Sequence, residues 1–258
     1  MQNPNDKNTY NTPSQMTQVL KDGLQASFST IKNVDIPTVF FRFLRMIEMK
    51  DERENIAHMT RVSFYSLALF DRYCQLHQIS EQEQERYRAA LRIASMLHDV
   101  GKIEIPDSIL KKTGHLFDAE FAVMMRHTYV GARLFLPISS YIDQITYEVA
   151  LRHHENWDGT GYPGYIDVAT GKALKIDVAT GKTVGLKGEE IPLSARIVSI
   201  ADVYDVLSSK RVYKDAWQED AVLNEINRGR GTKFQPELVN IFFDILPEIK
   251  KIKALCNN

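Results

Sequence analysis

Cysteine is scarce. The chain has two in 258 residues, Cys74 and Cys256, far apart and without Cys-x-x-Cys spacing. That pattern excludes a disulfide framework and a thiolate metal site. No apolar run approaches the roughly 18 residues that a membrane span needs. The first residues, MQNPNDKNTYNTPSQ, are polar and lack the apolar segment of a secretory signal. Neither sign of charge is in excess, since 32 Lys and Arg stand against 33 Asp and Glu. A nucleic-acid polymer ordinarily demands a basic domain, so no such partner is expected. These absences lead to the expectation of a soluble cytoplasmic protein with no membrane contact.

Strand signals are nearly missing too, and helical periodicity takes their place. Residues 1–35 are rich in Asn, Gln, Ser and Thr and read as a polar tail with one short helix over 15–31. Residues 36–258 read as one helical domain. Pro37 suits a first helical position. Further helices are expected over Glu52–His77, from Ser80 to a stop at Gly101, over Asp118–Leu136 before Pro137, and over Ser140–His154. Three more are expected from Pro192 through LSARIVSIADVYDVLSS, over 215–228 and over 236–253. Ser80 and Glu83 form a capping-box pattern. The stripe of Tyr87, Leu91 and Ala94 extends to His98, which points that histidine at the core. The helix after Pro192 is apolar around much of its circumference, which predicts central burial.

One segment breaks the helical pattern. IDVATGK occurs at 166–172 and again at 176–182, a tandem copy of period ten. Alternating Ile and Val with Thr-Gly-Lys turns predicts a β-hairpin over 165–184, either a surface insertion or a lid beside a site.

Five of the seven histidines sit on or at the end of predicted helices: His58, His98, His127, His153 and His154. His98 is followed by Asp99, and Lys102 lies four residues on, the same side if helical geometry persists. Glu54 and His58 are spaced i, i+4. Asp202 lies in the apolar helix, where a carboxylate is costly unless paired or bound to metal. Asp205, three residues later, could orient a ligand or pair locally. Nitrogen and oxygen donors without sulfur suit Fe, Mn, Ni or Zn.

The ordered series Glu-x3-His, HDxGK, His, HisHis, Asp resembles the HD superfamily of metal-dependent phosphohydrolases. HHENWDGTGYPG at 153–164, with GLKGEEIPLSARIVSIADVYDVLSSKRVYK at 185–214, resembles the HD-GYP family of cyclic dinucleotide phosphodiesterases. The likeness runs over about residues 45–245. It implies an all-α HD-type helical bundle with a short β-hairpin insertion. It also implies two or three divalent transition metal ions, Fe or Mn foremost. His58, His98, Asp99 and Asp202 would hold one ion, and Asp99 would bridge to a second on His127, His153 and His154. Glu54 matches a third-metal position. Lys102, Arg211 and Lys214 match phosphate contacts, and Tyr162 would support the substrate pocket. His98, Asp99 and Lys102 would form the catalytic group. The implied reaction opens cyclic di-GMP to pGpG, or onward to GMP, when a hydroxide bridging the metals attacks phosphorus. Cyclic GMP-AMP and pGpG stay open as substrates, as does a cyclic-dinucleotide-binding signalling module with little turnover. In most members GYP leads almost directly into GLxGxxIP, so the twenty-residue insertion departs from the pattern at the expected substrate entrance. Many relatives carry a receiver or sensory domain, and none is expected within these 258 residues. Regulation is then expected from a protein signalling partner, metal or redox state, or expression level.

Overall fold

A computed structural model describes residues 44, 47–51, 55–209 and 216–256, all within the compact unit of residues 42–258. The expected tail, Glu54, Arg211 and Lys214 lie outside the described residues, as does most of the expected helix from Pro37. Ten numbered α-helices follow in order: α1 Ile56–His77, α2 Glu81–Met96, α3 Asp107–Leu110, α4 Asp118–Met125, α5 His127–Arg133, α6 Tyr141–Arg152, α7 Leu193–Ser208, α8 Glu219–Arg228, α9 Pro236–Asp244 and α10 Leu246–Cys256. Short 3-10 turns cover Val100–Glu104 and Gly188–Glu190. Among the described residues, β structure is confined to isolated bridges. The all-α bundle read from the sequence is what the chain forms, and no described helix is long and apolar enough to cross a membrane.

Capping explains several boundaries. Asn55 caps α1 by accepting from the His58 amide at 2.8 Å. Ser80 and Ser140 do the same for α2 and α6. α1 and α7 form the centre. α1 packs against α2, α7, α9 and α10, while α6 bridges α2, α5 and α7. Between them lie Val62, Tyr65, Leu69, Leu91, Ala94, Val149, Ile197, Ile200, Leu238 and Phe242, all buried. Each large side chain so buried contributes roughly 1.5–3 kcal/mol. The central burial expected for the helix after Pro192 is found in α7.

Three expected helices end or break where a side chain or a proline competes with the backbone. α2 stops at Met96, not at Gly101, because the His98 Nδ1–H bonds the Ser95 carbonyl at 2.8 Å. The chain continues as a 3-10 turn. The helix expected over Asp118–Leu136 breaks at Arg126. There the His127 ring takes the Met124 carbonyl at 2.7 Å and the Thr128 hydroxyl takes that of Met125 at 2.9 Å. The helix expected over 236–253 divides at Ile245, since Pro247 has no N–H to continue the ladder.

The segment 165–184 forms two consecutive bridged turns, Ile166 with Ala173 and Ile176 with Thr183. Its base is closed by Glu155, a buried carboxylate that accepts from Gly164 N at 2.8 Å and Leu186 N at 3.1 Å. An insertion can be carried here because its two ends share one anchor.

Candidate metal centre

Four helix ends and the interior of a fifth helix deliver the histidines and acids to one place. His58 comes from the first turn of α1, and His98 and Asp99 follow the end of α2. His127 opens α5, His153 and His154 follow α6, and Asp202 projects from α7. The ligand atoms of Asp99, His127, His153 and His154 lie within 4.8 Å of one another, and so do those of His58, His98 and Asp202. Asp99 stands between the two groups. Its Oδ1 is 3.1 Å from His127 Nε2 and 3.6 Å from His153 Nε2, and its Oδ2 is 3.3 Å from His98 Nε2. Asp202 Oδ1 is 3.5 Å from His58 Nε2 and 3.8 Å from His98 Nε2.

The rings are oriented from behind. His98 Nδ1 bonds Ser95 O, His127 Nδ1 bonds Met124 O, and His153 Nδ1 bonds Val149 O at 2.9 Å. A carbonyl only accepts, so each Nδ1 carries the hydrogen, and a neutral ring held this way directs its Nε2 lone pair to the centre. His58 Nδ1 bonds Asp205 Oδ2 at 2.7 Å, and Arg61 holds the same carboxylate at 2.6 and 2.9 Å. Asp205 is fully buried. Burial alone would raise its carboxyl pKa, but the bonds from His58 and Arg61 lower it below the usual range. Asp205 thus orients His58, a role that the sequence left open.

Electrostatics favour a cation at the centre. The Nε2 atoms of His127 and His153 are buried without a hydrogen bond. Burial pulls the His127 pKa down to about 4, and His154 lies well below its usual value for the same reason. Burial pushes the Asp99 pKa up, yet Lys102 with His98, His127 and His153 holds it well below the ordinary carboxylate range. Neutral imidazoles and ionised carboxylates in a buried cluster form a donor set that fits divalent metals.

Lys102 does not continue a helix with His98. In the 3-10 turn its Nζ lies 2.6 Å from Asp99 Oδ2. Gly101 sits beneath α5, where an added Cβ would stand 1.9 Å from His127 O. The loop after His154 doubles back on itself. Tyr162 N bonds His154 O at 3.1 Å, and a Cβ on Gly161 would stand 2.2 Å from Asn156 N. Tyr162 stacks on His154 with ring centroids 4.7 Å apart. The other face of the centre opens into a cavity of about 710 Å³. Asp99, Lys102, His153, His154 and Asp202 line one end, and Val203, Val206, Leu207, Trp217, Arg228 and Lys233 extend it. None of the residues beyond Asp202 had been singled out from the sequence. Their convergence comes from packing α8 and the following loop over α7.

The HD domain family's sequence model matches residues 55–207, and a second HD domain model matches 179–238. The chain belongs to the HD domain family. Among its relatives, a cyclic di-GMP phosphodiesterase of Vibrio cholerae is 37% identical over 246 residues, covering 93% of this chain and 45% of that protein. A 3′3′-cGAMP-specific phosphodiesterase 2 of the same organism is 36% identical over 202 residues, covering 78% and 33%. A cyclic di-GMP phosphodiesterase of Thermotoga maritima is 38% identical over 168 residues, covering 65% and 40%. The chain thus spans less than half the length of these relatives. A solved cyclic GMP-AMP specific phosphodiesterase of V. cholerae superposes with a TM-score of 0.50 at 19% identity, over 84% of this chain and 51% of that one. At that identity the likeness concerns the fold.

Proposed function

We propose that this HD domain is a metal-dependent phosphodiesterase that opens cyclic di-GMP to pGpG. The observation that carries the reading is Asp99, whose two oxygens face two adjoining sets of inward-directed histidines. His58, His98, Asp99 and Asp202 would hold one divalent ion, and Asp99, His127, His153 and His154 the other. Such a pair supplies Lewis acidity and an activated water for in-line attack on a phosphodiester. The protein's part is to keep the Nε2 lone pairs unprotonated, to fix ring direction through Nδ1, and to bury the centre. Lys102, which lines the cavity beside Asp99, adds a cation for phosphoryl oxygens. The aliphatic and indole walls beyond Asp202 match the apolar faces of nucleobases, and about 710 Å³ suits a ligand of this size.

Fe and Mn stay the expected metals, and the donor set suits Ni or Zn as well. Glu54 stays the expected third-metal ligand, and Arg211 and Lys214 the expected phosphate contacts. The free cysteines fit a reducing, cytoplasmic setting. Similarity to a relative named as cyclic GMP-AMP specific supports that nucleotide as the alternative substrate. The test uses the purified chain loaded anaerobically with Fe(II) or Mn(II). Cyclic di-GMP and cyclic GMP-AMP are supplied in parallel and products resolved by chromatography. Release of pGpG that is lost in His98→Ala/Asp99→Ala, with helical content intact, is the expected result. Turnover unchanged in that variant would overturn the assignment.

A further inference from the structure

The duplicated heptapeptide takes the same backbone form twice but has two different environments. In the first copy Asp167 Oδ1 accepts from Ala169 N at 2.8 Å and Thr170 N at 3.2 Å. In the second Asp177 Oδ1 accepts from Ala179 N and Thr180 N, both at 2.9 Å. Asp167 N bonds Lys172 O, and Asp177 N bonds Lys182 O, each at 2.8 Å. The two turns therefore share one internal hydrogen-bond pattern.

Only the first copy is seated. Ile166 is buried with Ala132, Ala150 and Leu151, and Val168 packs beside Tyr129 and Tyr147. The Arg133 guanidinium donates to Val168 O at 2.6 Å. Gly171 lies so close to Tyr129 that a Cβ there would meet the ring at 2.7 Å. In the second copy the corresponding Ile176 is 59% exposed and Val178 98% exposed, and a Cβ on Gly181 would meet nothing within 4 Å. Leu174, between the copies, is 68% exposed.

We propose that the two copies are alternative occupants of this one seat on α5 and α6, so that the insertion can exchange register by one ten-residue period. Identical residues offer identical contacts to Tyr129, Arg133 and the Ala132–Ala150–Leu151 surface. The shared anchor on Glu155 brings both ends of the insertion to the same point, and Tyr165 N bonds Val184 O at 2.9 Å there. The first copy begins two positions after Gly164 and the second ends three positions before Gly185. The observed register is favoured by what flanks the first copy. Tyr165 packs with Leu186, Ile191 and Ala195, its hydroxyl bonds Glu190, and Lys175 lies 3.6 Å from its ring centroid. Lys175 stands in that flanking place before the second copy and cannot replace the ring. In the exchanged register the slack moves to the side of the loop that carries Tyr162, and the seat on α5 and α6 stays filled. A ligand that holds either copy would shift the balance by its differential affinity.

The test places one reporter cysteine at 168 or 178 in the full chain with Cys256→Ser, keeps the buried Cys74 as a background read from the same chain without the reporter, and follows modification by a thiol reagent. In the parent, Val178→Cys is expected to react at least tenfold faster than Val168→Cys. Gly171→Ala bars the first copy from Tyr129, and exchange predicts that the order of rates inverts. Gly181→Ala imposes the same turn strain on the unseated copy and should leave the order unchanged. If Gly171→Ala does not fold, Ile166→Ser removes the apolar anchor without backbone strain and carries the same expectation. Fast labelling at both positions in Gly171→Ala or Ile166→Ser would overturn the proposal. Inversion that appears only as protein concentration rises would also overturn it, by assigning the seat to a neighbouring chain.

Discussion

Gly101 and His127 approach so closely that a Cβ on the glycine would stand 1.9 Å from the histidine's carbonyl oxygen and 2.5 Å from Gly131 N. The contact seats the first turn of α5 on the 3-10 turn that follows Asp99. It sets the 3.1 Å separation of Asp99 Oδ1 from His127 Nε2. Gly101→Ala must push α5 outward. Overpacking of this kind ordinarily costs on the order of 1–3 kcal/mol, and backbone contacts place this case toward the upper end. Urea unfolding and metal titration are both expected to show the loss. A variant as stable and as fully loaded as the parent would remove this role from Gly101.

Asp205 and Asp202 lie one turn apart on α7 but should fail differently. Asp205 is fully buried and holds Arg61 and His58, so Asp205→Asn strips a buried guanidinium of its counter-charge. Breaking a buried pair from one side costs about 3–5 kcal/mol. Loss of a partner behind a metal-binding histidine weakens affinity by about 10–100-fold. Asp202 carries 14% side-chain exposure and faces the Nε2 edges of His58 and His98 at 3.5 and 3.8 Å. Asp202→Asn should therefore lose metal with a stability change within about 1 kcal/mol. Denaturation paired with elemental analysis separates the two. Equal destabilisation would mean that Asp205 has no special place.

The contrast shows what could be read from the sequence. His98 and Asp99 are adjacent, as are His153 and His154, and Asp202 stands out in an apolar helix. Local patterns therefore carry the candidate ligands and the helical class. Asp205 bonds a residue 144 positions away, and no local pattern encodes that. Glu155 directly follows the paired histidines, but its work depends on Gly164 and Leu186 meeting across an insertion. The boundaries near His98 and His127 were misplaced for one shared reason. Each ring takes a backbone carbonyl that helical periodicity reserves for the next turn. The bond that ends the helix also aims the ligand, so periodicity fails where the site is built. Lys102 turns to Asp99 as a consequence.

Removing one period of the insertion should be nearly silent. Deletion of residues 173–182 leaves one complete turn and keeps Gly164 and Leu186 on Glu155. Loop closure changes only slowly with length, about 0.6 kcal/mol per doubling. The melting temperature is expected to move little. Glu155→Ala should be far worse, because two buried amides lose their acceptor at about 1–3 kcal/mol each. A deletion that destabilises as much as Glu155→Ala would show that the second copy is structurally required.

Acid should destabilise the chelated protein before its free carboxylates are protonated. His127 has a folded pKa of about 4, and His154 lies well below its usual value, against about 6.5 in an unfolded chain. A group with a depressed folded pKa binds its proton preferentially in the unfolded state. For a histidine, that stability is present above about pH 6.5 and is lost as pH falls toward 4. Each such ring adds up to about 1.4 kcal/mol per pH unit to the slope. Asp99 and Asp205 are held low and stay ionised through this window. Glu155, whose pKa burial raises, works in the opposite sense, so the absolute slope is a poor readout. The comparison of parent with His127→Gln in chelator isolates one ring. Urea midpoints at pH 7.5, 6 and 5 should fall less steeply in the variant. An unchanged slope would mean that His127 is protonated as readily in the folded protein as in the unfolded one.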